Sequence, residues 1–271
     1  MSASDLETDA ARRAAAGGAE KRAYVRSIFS EIAPRYDLAN HVLSLNIDRR
    51  WRRRALRELA WERRPDGTYL DLCAGTLDVT AELSLRPGFR GTVIGADFAE
   101  PMLRAGAGKG GRDRVAAVAA DALALPLDDH SMAGAIVAFG IRNLADLDAG
   151  LREVHRVLAP GARFVILEFT TPRSRVVRAG YHAYFHHVLP VIGRLVTGHR
   201  TAYRYLPASV ANFPIEEALA RRMENAGFAG VRWTTVTLGI AAVHVGEKAR
   251  IAERATRHST SSGNNGPRHT L

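Results

Sequence analysis

The stretch Gly67–Thr80, GTYLDLCAGTLDVT, carries an apolar run, Thr68-Tyr69-Leu70, to an acid, Asp71, and on through a turn of small residues, Cys73-Ala74-Gly75-Thr76, before helical spacing begins. Small side chains let a backbone come close to a ligand, and the free N–H groups of a helix start favour polar or anionic groups there. A nucleotide-like ligand suits such a place, although small-residue turns also join strand to helix for packing alone. A second run, Gly91 to Ala96, ends on Asp97, 22 residues past Gly75, where a carboxylate can accept hydrogen bonds from ribose hydroxyls. Leu77 stands where a third glycine would complete a dinucleotide fingerprint, which argues against NAD and for a different adenosine-containing ligand.

The elements that must position these groups follow in alternation. Val115–Ala119 reads as a third strand with Asp121-Ala122 at its end, and Ala133–Phe139 as a fourth leading into Gly140-Ile141-Arg142-Asn143. Leu147–Leu158 has helical spacing, Pro160-Gly161 reads as a turn, and Arg163–Phe169 is a fifth strand carrying Glu168 near its end. Strands alternating with helices imply a parallel sheet whose ligand site lies at the carboxyl ends of the strands. Thr76, Asp97, Asp121 and Arg142 all fall at such ends. Val231–Thr237 and Ile240–Val245 alternate as a closing antiparallel pair across Leu238-Gly239.

Upstream, a helical pattern from Lys21 carries Tyr24, Ile28, Phe29 and Ile32 on one side until Pro34. The mixed segment Tyr36–Ser44 reads as a lid or substrate loop before an Arg-rich helix, Asp48–Leu59, with Asp48 placed as its N-cap. Residues 1–20 and the tail from 250 to 271 have no sustained pattern and read as disordered, flanking one domain at 21–249.

With 271 residues and 46% hydrophobic content the chain can bury one substantial core. Its single cysteine, Cys73, excludes an intrachain disulfide and a Cys-based zinc site and suits a reducing compartment. No apolar stretch is long enough to span a bilayer and no signal peptide is visible, so a cytoplasmic location is expected. The formal charge of +10 is concentrated at Arg49–Arg54 and Arg63-Arg64, a patch that would meet an anionic surface or stay a solvated helix face. Aromatics for base stacking are sparse around it, which disfavours nucleic acid. Gly106–Gly111 lacks the residues of a phosphate loop, and the His182/His186 pair has no acidic partner at helical spacing, so no metal is expected. Tyr181–Val196 reads as an apolar helix that covers a greasy pocket or touches membrane.

From about Ala23 to Lys248 the chain resembles the quinone-ring C-methyltransferases of menaquinone and ubiquinone biosynthesis. The resemblance is carried by Tyr36-Asp-Leu-Ala-Asn40 with Ser44 and Trp51, by Arg156-Val-Leu-Ala-Pro-Gly161 leading to Ile166-Leu-Glu168, by Phe139-Gly-Ile-Arg-Asn143, and by Tyr203-Arg-Tyr-Leu206 with Phe213-Pro214. It implies a class I, Rossmann-like methyltransferase fold: α/β, with a mostly parallel seven-stranded sheet, helices on both faces and extra N-terminal helices. It implies S-adenosyl-L-methionine as cofactor, with Asp71, Gly75 and Thr76 around its methionine part, Asp97 on the ribose, Asp121 and Ala122 bordering the adenine, and Ala138 beside the pocket where a serine is usual. The implied reaction is C-methylation of a prenylated quinol, demethylmenaquinol or else a polyprenyl-methoxybenzoquinol. Arg142, which cannot act as an ordinary base, would stabilise a developing phenolate, Asn143 and Tyr36 would orient ring oxygens, and Asp37 or His41 would take the proton. A prenyl tail further implies transient contact with the inner face of the membrane. The assembly state stays open, a homodimer being one candidate. Another small-molecule methyltransferase, a nucleic-acid methyltransferase and a cofactor-free binding module are the rival readings, the last kept alive by Leu77 and Ala138.

Overall fold

The computed structural model describes residues 19–36, 44, 46–184 and 201–250. Its centre is a seven-stranded sheet made of β1 (Thr68–Leu72), β2 (Thr92–Asp97), β3 (Val115–Ala119), β4 (Met132–Ala138), β5 (Leu158–Phe169), β6 (Phe228–Val236) and β7 (Ala241–Lys248), in the spatial order β3-β2-β1-β4-β5-β7-β6. All pairs are parallel up to β4–β5, and β7 runs antiparallel to both β5 and β6. The order reverses between β1 and β4, which is where an open α/β sheet offers a crevice at its carboxyl end.

The central strands are buried on both faces, and their side chains split by the period of two. Ala135 and Val137 of β4, with Phe164 and Ile166 of β5, enter one core cluster. Ile136, Val165 and Leu167 enter the other. Helix α1 (Ala19–Ile32) buries Val25, Ile28 and Ile32, and Pro34 sits in a single 3-10 turn at its end. Helix α2 (Ile47–Leu59) packs Trp51, Ala55, Leu56 and Leu59 on the second cluster. Its N-cap is Asn46, in a left-handed conformation. Asp48 is therefore the second residue of the helix and not the cap expected for it; it accepts instead from Ser44 Oγ at 2.6 Å and pairs with Arg52.

Three short connections complete the parallel half: α3 (Asp78–Ser84), α4 (Glu100–Ala105) and α5 (Leu147–Val157). Asp146 caps α5 by accepting from the Ala149 N–H, and Leu151, Val154 and Val157 are its fully buried face. Arg156 from the same helix binds the carboxylates of Glu153 and Asp129 and the carbonyls of Leu125 and Leu127, pinning the chain between β3 and β4. One expectation needs correcting here. Pro160-Gly161 does not end a turn before β5; it lies within the strand, as a bulge where the pairing register jumps from Met132–Leu158 to Gly134–Arg163. Helices α6 (Arg175–Ala183), α7 (Thr201–Ala211) and α8 (Glu216–Asn225) follow, and β6 and β7 close the sheet across a 3-10 turn at Thr237–Gly239. Among the described residues no helix is long and apolar enough to cross a membrane.

Candidate active site

A cleft open to solvent lies over the carboxyl ends of β1, β2, β3 and β4. Leu72, Cys73 and Ala96 form its floor, Asp97 and Asp121 stand at its polar side, and Ala122 and Asn143 border it. Cys73 adopts a left-handed backbone, with φ of +53°, at the point where β1 gives way to the loop. Gly140 makes that turn feasible, because a Cβ there would lie 2.3 Å from the Cys73 Cβ. Burial pushes the Cys73 thiol well above its ordinary range, with Asp97, Asp71 and Glu168 acting in the same direction, so it is a neutral wall of the cleft.

Asp97 ends β2 with its carboxylate accepting from the Gly75 N–H at 2.9 Å and from the Ala99 N–H at 2.8 Å. Burial raises its pKa, and the N–H groups of Ala99, Gly75 and Phe98 oppose that rise. Asp121 accepts from the Leu123 N–H through Oδ1 and pairs through Oδ2 with Arg22 of α1 at 2.7 Å. Two carboxylates that face one mostly apolar cleft are the acceptor set that ribose hydroxyls and an adenine amine require, so the residues fit an adenosine.

The remaining cofactor expectations divide. Asp71 is buried beneath the loop, and its Oδ2 takes both the Thr80 N–H at 2.9 Å and the Thr80 hydroxyl at 2.6 Å. Burial raises its pKa to about 7. It ties β1 to the first turn of α3 and does not line the cleft. Thr76 is likewise buried, its backbone pressed against Gly106, and Ala138 packs on the second core cluster; both stand outside the lining. Leu77 holds φ at +64°, but its side chain is buried in a notch left by Gly95 and Gly106, where added Cβ atoms would lie 2.4 Å and 3.0 Å from it. The bulky residue therefore leaves the cleft open.

Arg142 and Asn143 form the 3-10 turn that follows β4. The Arg142 side chain does not enter the cofactor cleft. Its Nη1 reaches the Glu168 carboxylate at 2.7 Å and also donates to the Phe139 carbonyl, while Nε donates to Ser209 Oγ at 3.3 Å. Among the described residues its Nη2 makes no hydrogen bond. Glu168 is fully buried; burial raises its pKa and the Arg142 charge opposes this. The guanidinium lies 5.6 Å from the Phe169 ring centroid. Phe139, Phe169 and Trp51 form an aromatic trio beside the pair, with centroids 4.7, 6.0 and 6.2 Å apart. Tyr205 donates to Asn143 Oδ1 at 3.2 Å, and Lys21 donates to the Arg142 carbonyl at 2.8 Å. Burial pushes the Tyr205 phenol up to about 12. Tyr36 covers Gly75, its ring 3.9 Å from where a Cβ on that residue would be, and packs edge-on against Phe29.

Asp37, Asn40 and His41 fall outside the described residues, as do His186, His187 and Val196. The expected Arg49–Arg54 patch is not one surface: Arg52 is buried between Asp48 and Asp78, Arg53 faces Glu82 and Arg54 faces Glu58. Arg49, Arg50 and Arg53 are the exposed arginines of the run. Glu168, Ser209, Tyr205, Lys21 and Arg22 were assigned no role from spacing; for Glu168 the signal was present, since it ends a strand as Asp97 does.

The sequence model of the ubiE/COQ5 methyltransferase family matches residues 18–248. A demethylmenaquinone methyltransferase of Thermus thermophilus is 49% identical over 82% of this chain and 100% of its own length. A ubiquinone/menaquinone biosynthesis C-methyltransferase UbiE of Geobacter sulfurreducens is 42% identical over 84% and 90% of the two chains. In fold, a solved SAM-dependent methyltransferase of Thermotoga maritima aligns with a TM-score of 0.53 at 19% identity, covering 81% of this chain and 99% of that one.

Proposed function

The chain belongs to the ubiE/COQ5 methyltransferase family and is a methyltransferase using S-adenosyl-L-methionine, and on that premise we propose that it methylates a ring carbon of demethylmenaquinol. The observation that supports this reading is the adjacency of two unlike sites: Asn143 borders the adenosine-type cleft, its neighbour Arg142 pairs with Glu168 beside the aromatic trio, and Gly140 just before them packs on Cys73 of the cleft. The 49% identical relative carries the demethylmenaquinone name, whereas the names of other relatives cover both ring types. A benzoquinol is therefore the second reading.

The cofactor, when bound, supplies a sulfonium-activated methyl group. The chain has mainly to align a nucleophilic carbon with it and to raise that carbon's electron density. Trp51, Phe139 and Phe169, inclined to one another, supply apolar ring edges and faces for an aromatic ring to pack on. Arg142 Nη2 offers a fixed positive donor to a developing phenolate, and Glu168 holds the guanidinium in that place. The Asn143 amide, with its oxygen occupied by Tyr205, presents its N–H₂ to a ring oxygen, and Tyr36 closes the cofactor side over Gly75. Asp37, or His41 through water, is assigned the proton. The catalytic unit is placed at residues 21–249, with 1–20 and 250–271 as flanking tails. The isoprenoid-quinone profile of cells with and without the gene tests the reading. Loss of the gene should accumulate the demethylated quinone with its tail intact; an unchanged profile contradicts it.

A further inference from the structure

Single apolar side chains are common on protein surfaces, but exposed ones gathered on one rim beside a site mark a contact surface. Leu238 is 77% exposed and Val176 is 82% exposed. They belong to one rim. The turn carrying Leu238 lies beside the chain that leads into α6: Thr170 N–H donates to the Ile240 carbonyl at 2.9 Å, and a Cβ on Gly239 would lie 3.5 Å from Pro172 Cα. The same turn is fastened to the aromatic trio, since Trp51 Nε1 donates to Thr237 Oγ1 at 2.8 Å. Thr237, Leu238 and Gly239 all have positive φ, at 47°, 58° and 87°. For a β-branched threonine and a leucine that conformation is costly, and it holds the leucine outward.

The chain segment that carries Val176 is basic. From Phe169 to Tyr184 the chain has no aspartate or glutamate, while Arg175 and Arg178 flank Val176. Arg173 is taken up by Glu216 and Glu217. Arg50, exposed, stands next to Trp51 on α2. Apolar tips among arginines at the mouth of an aromatic site match the outer face of an anionic bilayer: the tips enter the acyl boundary while the guanidinium groups stay with phosphate. We infer that the rim formed by Leu238 and Val176, with Arg175 and Arg178, is the surface by which this chain docks reversibly on an anionic lipid bilayer. The inference rests on the proposed prenylated substrate only for why the ring site should open there. It also relocates membrane contact away from the arginine run of α2, whose charges are largely paired within the fold.

The test uses the full chain and sedimentation with vesicles of phosphatidylglycerol and phosphatidylcholine. Leu238→Asn with Val176→Gln removes the apolar tips without backbone penalty, because asparagine accepts left-handed φ and glutamine is the better helix former. This pair should cut partition by about tenfold. Arg175→Gln with Arg178→Gln should cut it by about fivefold for each arginine, a loss that fades as salt is raised. Cofactor affinity and turnover of a quinol lacking the prenyl tail should stay unchanged in all four substitutions. Failure of the unsubstituted chain to bind these vesicles overturns the proposal, as does binding that none of the substitutions weakens. Absence of cofactor binding and turnover in the unsubstituted chain would reject the catalytic reading, while the vesicle result would still decide the surface.

Discussion

Arg142 Nη1 lies 2.7 Å from the Glu168 carboxylate, with both side chains buried and 26 positions apart in the chain. Breaking a buried pair from one side strands a charge and costs about 3–5 kcal/mol, whereas replacing both members costs much less. Glu168→Gln and Arg142→Met should each destabilise on that scale, and the double variant should recover most of the loss. Turnover should fall in all three. Denaturant titration beside single-turnover assays checks this; a double variant that regains turnover with stability would reduce the pair to a structural tie.

That pairing also shows where sequence reading stops. The first four strands were legible because glycines, prolines and acids punctuate short apolar runs, and Thr68–Leu72 and Val115–Ala119 came out close to their expected limits. The start of β5 was not, because Pro160-Gly161 has the composition of a turn while pairing across the sheet absorbs it as a bulge. The arginine run of α2 looked like a surface because Asp78 and Glu82, which take up Arg52 and Arg53, sit on another helix. Local spacing marks strand ends well, which is why Asp97 and Asp121 stand out as candidates, and both line the cleft. It says nothing of which way a side chain at such an end turns, so the burial of Asp71 and Thr76 and the packing of Ala138 on the core were not legible.

Leu77 occupies a left-handed position that favours glycine, yet fills a notch in the core. Leu77→Gly relieves about 1 kcal/mol of backbone cost but forfeits more in buried area and cavity, for a net loss of about 2 kcal/mol. Thermal unfolding should show it as a drop of several degrees. Cofactor affinity should not change; tighter binding in the glycine variant would mean that the leucine obstructs the cleft after all.

Burial pushes the Asp71 carboxyl up to about 7 from an ordinary value of 3.8, outweighing the bonds from Thr80. Between those limits the native state holds the proton more firmly than the unfolded chain, so this group makes stability fall as pH rises through the window. Asp71→Asn should flatten the profile there. The difference in unfolding free energy between the two proteins, measured from pH 4 to pH 8, should drift in favour of the variant as pH rises; a level difference would show that Asp71 is ionised throughout.

Asp121 is shared between the Leu123 N–H and Arg22, whose side chain is 59% exposed, so the ion pair itself adds little. Arg22→Gln should leave stability within about 0.5 kcal/mol and should tighten cofactor binding by releasing an acceptor. Asp121→Asn should weaken binding by roughly tenfold or more, the worth of a hydrogen bond to a charged group. Calorimetric titration separates these directions. Equal affinity in both variants would remove Asp121 from the adenine site.

Methyl transfer itself is most directly followed with the purified chain, reduced demethylmenaquinol and S-adenosyl-L-methionine labelled with carbon-13 in its methyl group. The label should arrive on a ring carbon, and Arg142→Lys should bind the cofactor normally while forming product far more slowly, because an ammonium lacks the planar group that reaches Glu168, Phe139 and Ser209 at once. Label found on a quinol oxygen, or no transfer by a chain shown to bind the cofactor, would contradict the assignment.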